Sequence, residues 1–190
     1  LYVNGCKFIS ASVEHPKAVN GKYAPGTYKI GRDIPKDEYI VKKISGVYGG
    51  LGFKNSIDPY VQNVASDFEM FDTSTYYVLS KDGYVEITGC EFYDADSCNM
   101  ASIGCDGTTP AMYKVGKDIK AGTYTITPDG SGKSYYSVSS SPETVDLKPL
   151  KEVTNVKVSD GEYVYFFRAT MKYCENPNSG LDPDATLPQE

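Results

Sequence analysis

An internal repeat is the feature that most constrains what this chain can fold into. The tract Tyr28–Tyr39 recurs, at one constant offset and without gaps, as Tyr113–Tyr124. The copies share six of twelve positions, which are Tyr28/Tyr113, Lys29/Lys114, Gly31/Gly116, Asp33/Asp118, Ile34/Ile119 and Tyr39/Tyr124. Because so many identities at a single offset are hard to reach by chance, the sequence predicts a duplicated module.

A second pair of blocks extends the repeat. Val78–Val85 resembles Val156–Val164 if one residue is inserted in the later copy. The dipeptides Asp82-Gly83 and Asp160-Gly161 inside these blocks are typical of two-residue hairpin turns. Each copy is therefore expected to run as strand, tight turn, strand, variable middle, strand, Asp-Gly turn and strand.

Composition favours strands throughout. The 190 residues include 17 Tyr and 7 Phe, together with many Val, Ile and Thr, which suit a pleated and half-buried surface. Helix-like spacing occurs best over Val61–Phe71, where a short helix or an irregular crossover are both open. The predicted fold class is all-β, with two tandem small antiparallel β-sandwich (jelly-roll-like) units.

The repeat divides the chain into five segments. They are an N-terminal strand and connection (1–20), β repeat unit 1 (21–96), a linker (97–109), β repeat unit 2 (110–175) and an extended tail (176–190). Val3–Phe8 resembles Ile87–Phe92. The predicted strand within Leu1–Val13 therefore either closes a preceding copy or opens this one, and the sequence leaves both alternatives open.

Charge and hydropathy bear on partners and location. The net charge of −6 disfavours nucleic acid, because phosphate binding depends on clustered Lys and Arg. No run approaches the 18 or so apolar residues of a membrane helix. The chain starts at Leu1 rather than Met, so the lack of a signal peptide does not indicate the cytoplasm.

These motifs resemble a module of secreted proteins and lipoproteins of Gram-positive bacteria. Its copies carry a tract like Y-K-V-G-x-D-I-P-A-G-x-Y and later a V-x-D-G-x-Y strand, matched here by Tyr113–Tyr124 and Val158–Tyr163. Unit 1 departs at Asp37, where the family has Gly, and unit 2 departs at Lys120, where it has Pro. The resemblance implies an extracellular or cell-surface location and a small β-sandwich, and it implies no activity.

Catalytic residue sets are hard to assemble. His15 is the only histidine, so nucleophilic schemes and zinc sites would both depend on one loop residue. Paired carboxylates are the remaining enzymatic alternative, as in a glycoside hydrolase; the candidates are Asp37/Glu38, Glu86/Glu91 and Asp94/Asp96. We expect no catalytic residues, no metal site and no cofactor.

Exposed tyrosines are the best candidates for ligand binding. Aromatic side chains in or near the variable middles could bind saccharides or fill cross-strand pairs; they are Tyr60, Tyr76, Tyr77, Tyr135 and Tyr136. We expect any site to lie within Val47–Thr75 and Asp129–Asn155, where the copies diverge.

Five cysteines are an odd number, so at least one is free or pairs outside the chain. Close spacing favours a Cys98–Cys105 disulfide, while Cys6 and Cys90 hold equivalent strand-end positions.

The predicted function is that of a non-catalytic secreted or cell-surface β-repeat protein, serving adhesion, binding or spacing. Its partners would be cell-wall or host glycans or proteins. A carbohydrate-binding module using exposed Tyr is the first alternative, and a carboxylate-dependent glycoside hydrolase is the second.

Overall fold

Fifteen β-strands and one 3-10 helix occupy the described part of the computed structural model, which comprises residues 18–44, 49–56 and 68–175. The strands of unit 1 are β1 (Lys22–Tyr23), β2 (Gly26–Lys29), β3 (Glu38–Lys43), β4 (Gly49–Lys54), β5 (Phe68–Phe71), β6 (Thr75–Val78), β7 (Tyr84–Thr88) and β8 (Cys90–Asp94). Those of unit 2 are β9 (Met112–Lys114), β10 (Gly122–Pro128), β11 (Tyr135–Ser139), β12 (Lys148–Pro149), β13 (Thr154–Val158), β14 (Tyr163–Phe167) and β15 (Ala169–Tyr173). The 3-10 helix, Ala101–Ile103, lies between the units.

The chain is all-β, as the sequence predicts. Unit 1 contains two antiparallel sheets with strand orders β1-β8-β3-β6 and β2-β7-β4-β5. Unit 2 contains two further sheets, with orders β13-β10-β15 and β12-β11-β14-β9. The pairings run in the same sequence in both units: β3 pairs with β6 and β8 as β10 pairs with β13 and β15, and β7 pairs with β2 and β4 as β14 pairs with β9 and β11.

Each unit is sandwich-like because alternate residues of its two sheets face one another. In unit 1 the buried cluster joins Tyr39 and Phe92 of one sheet to Leu51 and Val85 of the other. The cluster of unit 2 joins its own two sheets in the same way, and it also includes Ile40 and Tyr76 of unit 1. Apolar alternation along β7 and β10 therefore sets which face of each sheet is buried.

The repeated tyrosines brace their own strands. The Tyr39 hydroxyl donates to the carbonyl of Pro35 at 2.9 Å, and that of Tyr124 donates to the carbonyl of Lys120 at 2.9 Å. Each hydroxyl thus bonds to the backbone four residues upstream, in the manner of a tyrosine corner. A buried ring with a satisfied hydroxyl explains why both copies carry Tyr here.

The repeated aspartates hold the tight turn that precedes those strands. An Asp33 carboxylate oxygen accepts the backbone N–H of Lys29 at 2.8 Å, and Asp118 accepts that of Lys114 at 2.8 Å. Local side-chain to backbone bonds of this kind favour turns over continued strand. The repeat therefore encodes the same turn twice.

The two predicted Asp-Gly hairpins are wrong. β6 and β7 belong to different sheets, and so do β13 and β14. Asp82-Gly83 and Asp160-Gly161 instead carry the chain from one layer of the sandwich to the other. The glycines supply the positive φ that this crossover needs, at 101° for Gly83 and 86° for Gly161.

Two other segments can be compared with their predicted structures. Of the possible helix over Val61–Phe71, the described part, Phe68–Phe71, is strand β5. The segment 97–109 contains the 3-10 helix, whose neighbour Met100 and last residue Ile103 are buried against unit 2. In the residues that the structure describes, no helix is long and apolar enough to cross a membrane.

Candidate functional site

The outer face of the first sheet of unit 1 packs against unit 2. Ile40 and Tyr76 on this face are almost fully buried, and they share one apolar cluster with Tyr113 of unit 2. The backbone also joins the units, since the N–H of Met112 donates to the carbonyl of Ser74 at 3.1 Å. The two sandwiches are therefore in direct contact rather than linked only by a connecting chain.

Polar side chains cross this junction, and we call them the junction network: Glu38, Tyr76, Lys114, Asp118 and Tyr163. The Tyr76 hydroxyl donates to Oδ2 of Asp118 at 2.7 Å. Lys114 Nζ donates to Oε2 of Glu38 at 2.8 Å, and the Tyr163 hydroxyl donates to the other oxygen of that carboxylate. Both acids are thus satisfied by donors from the opposite unit.

The pKa shifts in the junction network favour a structural role over acid–base catalysis. Burial raises the pKa of Tyr76, and the hydrogen bond to Asp118 raises it further. Burial alone would lower the pKa of Lys114, but the bonds to Glu38 and Tyr163 raise it above its ordinary value. A general acid or base works best with a pKa near the operating pH, and these shifts move both groups away from neutrality.

Beside the network, a cleft of about 540 Å³ opens between the two units. We call it the junction cleft. Its unit 1 wall comes from β5, β6 and the residues around them, between Glu69 and Lys81, and its unit 2 wall comes from Pro142–Leu147, Met112 and Tyr165. The volume lies within the range of small-ligand sites.

The junction cleft combines polar and apolar groups. The Tyr77 hydroxyl donates to Oε1 of Glu69 at 3.0 Å, and Lys81 Nζ lies 3.5 Å from the same oxygen. Met70 and Leu147 expose 61% and 51% of their surface at its walls. Such a lining can contact an apolar face of a ligand while hydrogen bonding to its polar groups.

The structure separates the four predicted ligand-binding tyrosines that it describes. Tyr76 and Tyr77 lie on β6 and both line the junction cleft, although the Tyr76 hydroxyl is used by Asp118. Tyr135 and Tyr136 lie on β11, pair across the sheet with β12 and β14, and do not line the cleft. Tyr60 lies outside the described residues.

The predicted carboxylate pairs interact mainly with cations and backbone groups. Their partners are, in order, the Glu38 N–H for Asp37, Lys114 for Glu38, Lys54 for Glu86, Lys22 for Glu91 and the Asp96 N–H for Asp94. A two-carboxylate hydrolase instead needs two acids facing one substrate bond across a cleft.

The described cysteines are all free thiols. Cys98 and Cys105, predicted to pair, form no bond with each other, and Cys98 Sγ lies 2.8 Å from the Ser102 hydroxyl oxygen. Burial raises the pKa of the Cys90 thiol, which makes it a poor nucleophile. Cys6 lies outside the described residues.

Metal ligands are sparse. Within residues 18–44, 49–56 and 68–175, no three His, Cys, Asp or Glu side chains come together in a way that could hold a metal ion. His15 lies outside these ranges.

Sequence reasoning did not single out Glu69, Lys81 or Tyr165 as site residues. Glu69 and Pro142–Leu147 do lie inside the two divergent ranges that the sequence favoured for a site. Tyr165 lies directly after the repeated block Val156–Val164 and outside both divergent ranges, and only the contact between the units brings it to the cleft. Divergence between the copies was therefore the one usable signal.

The chain matches no protein-family model, no curated protein and no solved structure.

Proposed function

We propose that this protein is a non-catalytic binding module of the secreted or cell-surface type, and that its ligand binds in the junction cleft. The repeat tract that resembles Gram-positive extracellular modules supports the location. The observation that carries the binding role is the cleft itself, which draws its lining from both units. A site of that kind depends on the two units being held together, and the junction network supplies the contacts for this.

The contacts of the acidic groups support the non-catalytic part of this proposal. Glu38 is engaged by Lys114 and Tyr163 across the junction. Glu69, one of the acids that line the cleft, accepts the Tyr77 hydroxyl and lies beside Lys81. Both carboxylates are thus engaged by cations and phenol hydroxyls, whereas a two-carboxylate hydrolase needs two acids that face one substrate bond.

A carbohydrate is the ligand class that the cleft lining favours. Saccharides present hydroxyl groups together with apolar ring faces, so they need both carboxylate or hydroxyl partners and apolar surface. Glu69, Thr73 and Ser80 offer the first, while Met70 and Leu147 offer the second. Tyr77 contributes its hydroxyl and the edge of its ring, because Phe53 and Phe71 already contact that ring.

Binding to an array of bacterial cell-wall and host glycans tests this proposal. We expect the wild type to bind at least one glycan, and Glu69→Ala or Tyr77→Phe to weaken that binding by about tenfold, the value of one lost charge-assisted hydrogen bond. Tyr135→Phe is the matched control, since it removes a tyrosine hydroxyl outside the cleft and should leave binding unchanged.

Two results would contradict the proposal. Binding that depends on Tyr135 rather than Tyr77 would place the site elsewhere, and a lack of binding to every glycan would exclude the carbohydrate class. Release of reducing ends from the bound polysaccharide would overturn the non-catalytic role.

A further inference from the structure

The strand register shows which residues of unit 1 correspond to Lys114, Asp118 and Tyr163, the unit 2 members of the junction network. Lys114 pairs with Tyr163 between β9 and β14, and Lys29 pairs with Tyr84 between β2 and β7 in the same relative place. Asp118 and Asp33 occupy the same repeated turn. Unit 1 therefore carries the same three residue types, Lys, Asp and Tyr, that unit 2 uses to receive its neighbour.

In unit 1 these three residues have a different setting. Lys29 is exposed and Tyr84 is half-buried, whereas Tyr163 is only 5% exposed beneath the junction. The Asp33 carboxylate is bonded by the Arg32 guanidinium at 2.7 Å, and that Arg side chain is itself 40% exposed. The guanidinium binds both carboxylate oxygens, and the Asp33 side chain is only 7% exposed beneath it. Arg32 thus takes the place over Asp33 that Tyr76 takes over Asp118, and a docking unit would displace its solvent-exposed side chain.

In the described part of unit 2, the outer face lacks the residues that unit 1 contributes to the junction network. By register, the outer face of unit 2 has Thr123, Thr125 and Asn155 where unit 1 has Glu38, Ile40 and Tyr76. A polar outer face is typical of a terminal repeat, which ends a stack. Within the described residues, the outer face of unit 2 in a second copy therefore presents no Glu and Tyr pair like Glu38 and Tyr76 to the Lys29 surface.

We propose that the surface formed by Lys29, Asp33 and Tyr84 docks another β unit of the same type, one that presents a Glu carboxylate and a Tyr hydroxyl as Glu38 and Tyr76 do. The Glu would pair with Lys29 and Tyr84 in this docked arrangement, and the Tyr would bond to Asp33 in place of Arg32. Thr27 stands where unit 2 has Met112, so the apolar contact is smaller and the polar contacts carry more of the recognition. This inference does not depend on what the junction cleft binds.

A donor variant of the full chain provides the probe. Its substitutions T123E/T125I/N155Y give the outer face of unit 2 the Glu, Ile and Tyr that unit 1 has at the junction. The same chain also carries K29A/Y84F, which removes its own Lys29 surface. The substituted positions of unit 2 are strand residues that are exposed or half-buried, so strand formers are tolerated there. Mixing this variant with the wild type should give a 1:1 complex in sedimentation velocity.

The acceptor variant K29A/Y84F, without the donor substitutions, is the matched control. We expect the donor variant to bind it at least about tenfold more weakly than it binds the wild type, because truncating one partner of a charged pair removes a factor of this size or more. Equal binding to both acceptors would overturn the proposal, since it would show nonspecific association through the new Ile and Tyr. A lack of any complex with the wild type would overturn it as well. If the donor variant does not give the circular dichroism spectrum of the wild type, T123E/N155Y replaces it under the same two criteria.

Discussion

The hydroxyl of Tyr76 in unit 1 donates a 2.7 Å hydrogen bond to the carboxylate of Asp118 in unit 2. The same carboxylate accepts the backbone N–H groups of Met100 and Lys114, each at 2.8 Å. One repeated aspartate thus holds its own turn, the connecting segment and the neighbouring unit. Because the Tyr76 ring is only 2% exposed, this bond lies in an environment where an unpaired group is costly.

Replacing Tyr76 by Phe should lower the free energy of unfolding by about 1.5–3 kcal/mol, the usual contribution of a hydrogen bond to a charged group. Urea unfolding followed by circular dichroism measures this loss. Tyr77→Phe is the neighbouring control, because its hydroxyl bonds to Glu69 at the open cleft, and it should cost less. A Tyr76→Phe protein as stable as the wild type would contradict a structural role for this bond.

The ion pair between Glu38 and Lys114 should show measurable coupling. Its atoms are 2.8 Å apart, and the side chains are only 22% and 30% exposed. A double-mutant cycle with Glu38→Ala and Lys114→Ala should give a coupling energy of about 1 kcal/mol in unfolding experiments.

The pair Lys36–Asp82 is the control for this cycle. It has a similar separation, 2.7 Å, but Asp82 is 92% exposed. Solvent screens such a pair, so its cycle should show no measurable coupling. Equal coupling in the two cycles would mean that the position of Glu38 in the junction adds nothing.

The sequence predicts those features that depend on local geometry. The hydroxyls of Tyr39 and Tyr124 each bond to the backbone four residues upstream, and Asp33 and Asp118 each hold the same turn. The spacing that the two copies share thus reflects contacts within a few residues of the chain. The all-β class follows from the same local patterns, because strand alternation depends only on which face is buried.

Features that depend on distant partners could not be predicted. An Asp-Gly dipeptide specifies positive φ, but Gly83 supplies it to a crossover between sheets, since the partner of β6 is β3 and not β7. The junction cleft likewise forms only when the units meet. Tyr165 and Glu69 are far apart in the chain, and neither carries a local sign that they line one cavity.

Gly122 should tolerate substitution poorly. Its φ is +146°, and a Cβ placed there would lie 2.6 Å from the ring of Tyr173. That ring cannot move freely, because it packs against Tyr124 and lies beneath Lys120 Nζ. Gly122→Ala should therefore cost about 2–4 kcal/mol, from backbone strain and overpacking together.

Gly130→Ala separates these two causes. Gly130 also has positive φ, at +83°, but nothing lies within 4 Å of an added Cβ. Its substitution should cost about 1–2 kcal/mol from strain alone. Thermal unfolding of both variants measures the difference, and equal losses would show that Tyr173 does not restrict this position.

Alkaline pH should destabilise the protein through its buried tyrosines. Burial raises the pKa of Tyr39 and Tyr76, and it raises the pKa of Tyr113 to about 12. In the unfolded chain these phenols ionise near pH 10, so above that value the unfolded state binds fewer protons than the folded state. The stabilisation from these buried tyrosines is therefore fully present below pH 10 and falls as the pH rises toward 12, by up to about 1.4 kcal/mol per pH unit for each such tyrosine.

Tyrosinate absorbance measures this effect. One group of tyrosines should titrate near pH 10, and a second group should titrate only when circular dichroism shows that the protein unfolds. In urea, all 17 tyrosines should titrate together near pH 10. If the folded protein instead titrates every tyrosine near pH 10 without losing its circular dichroism signal, these rings are not buried as the structure places them.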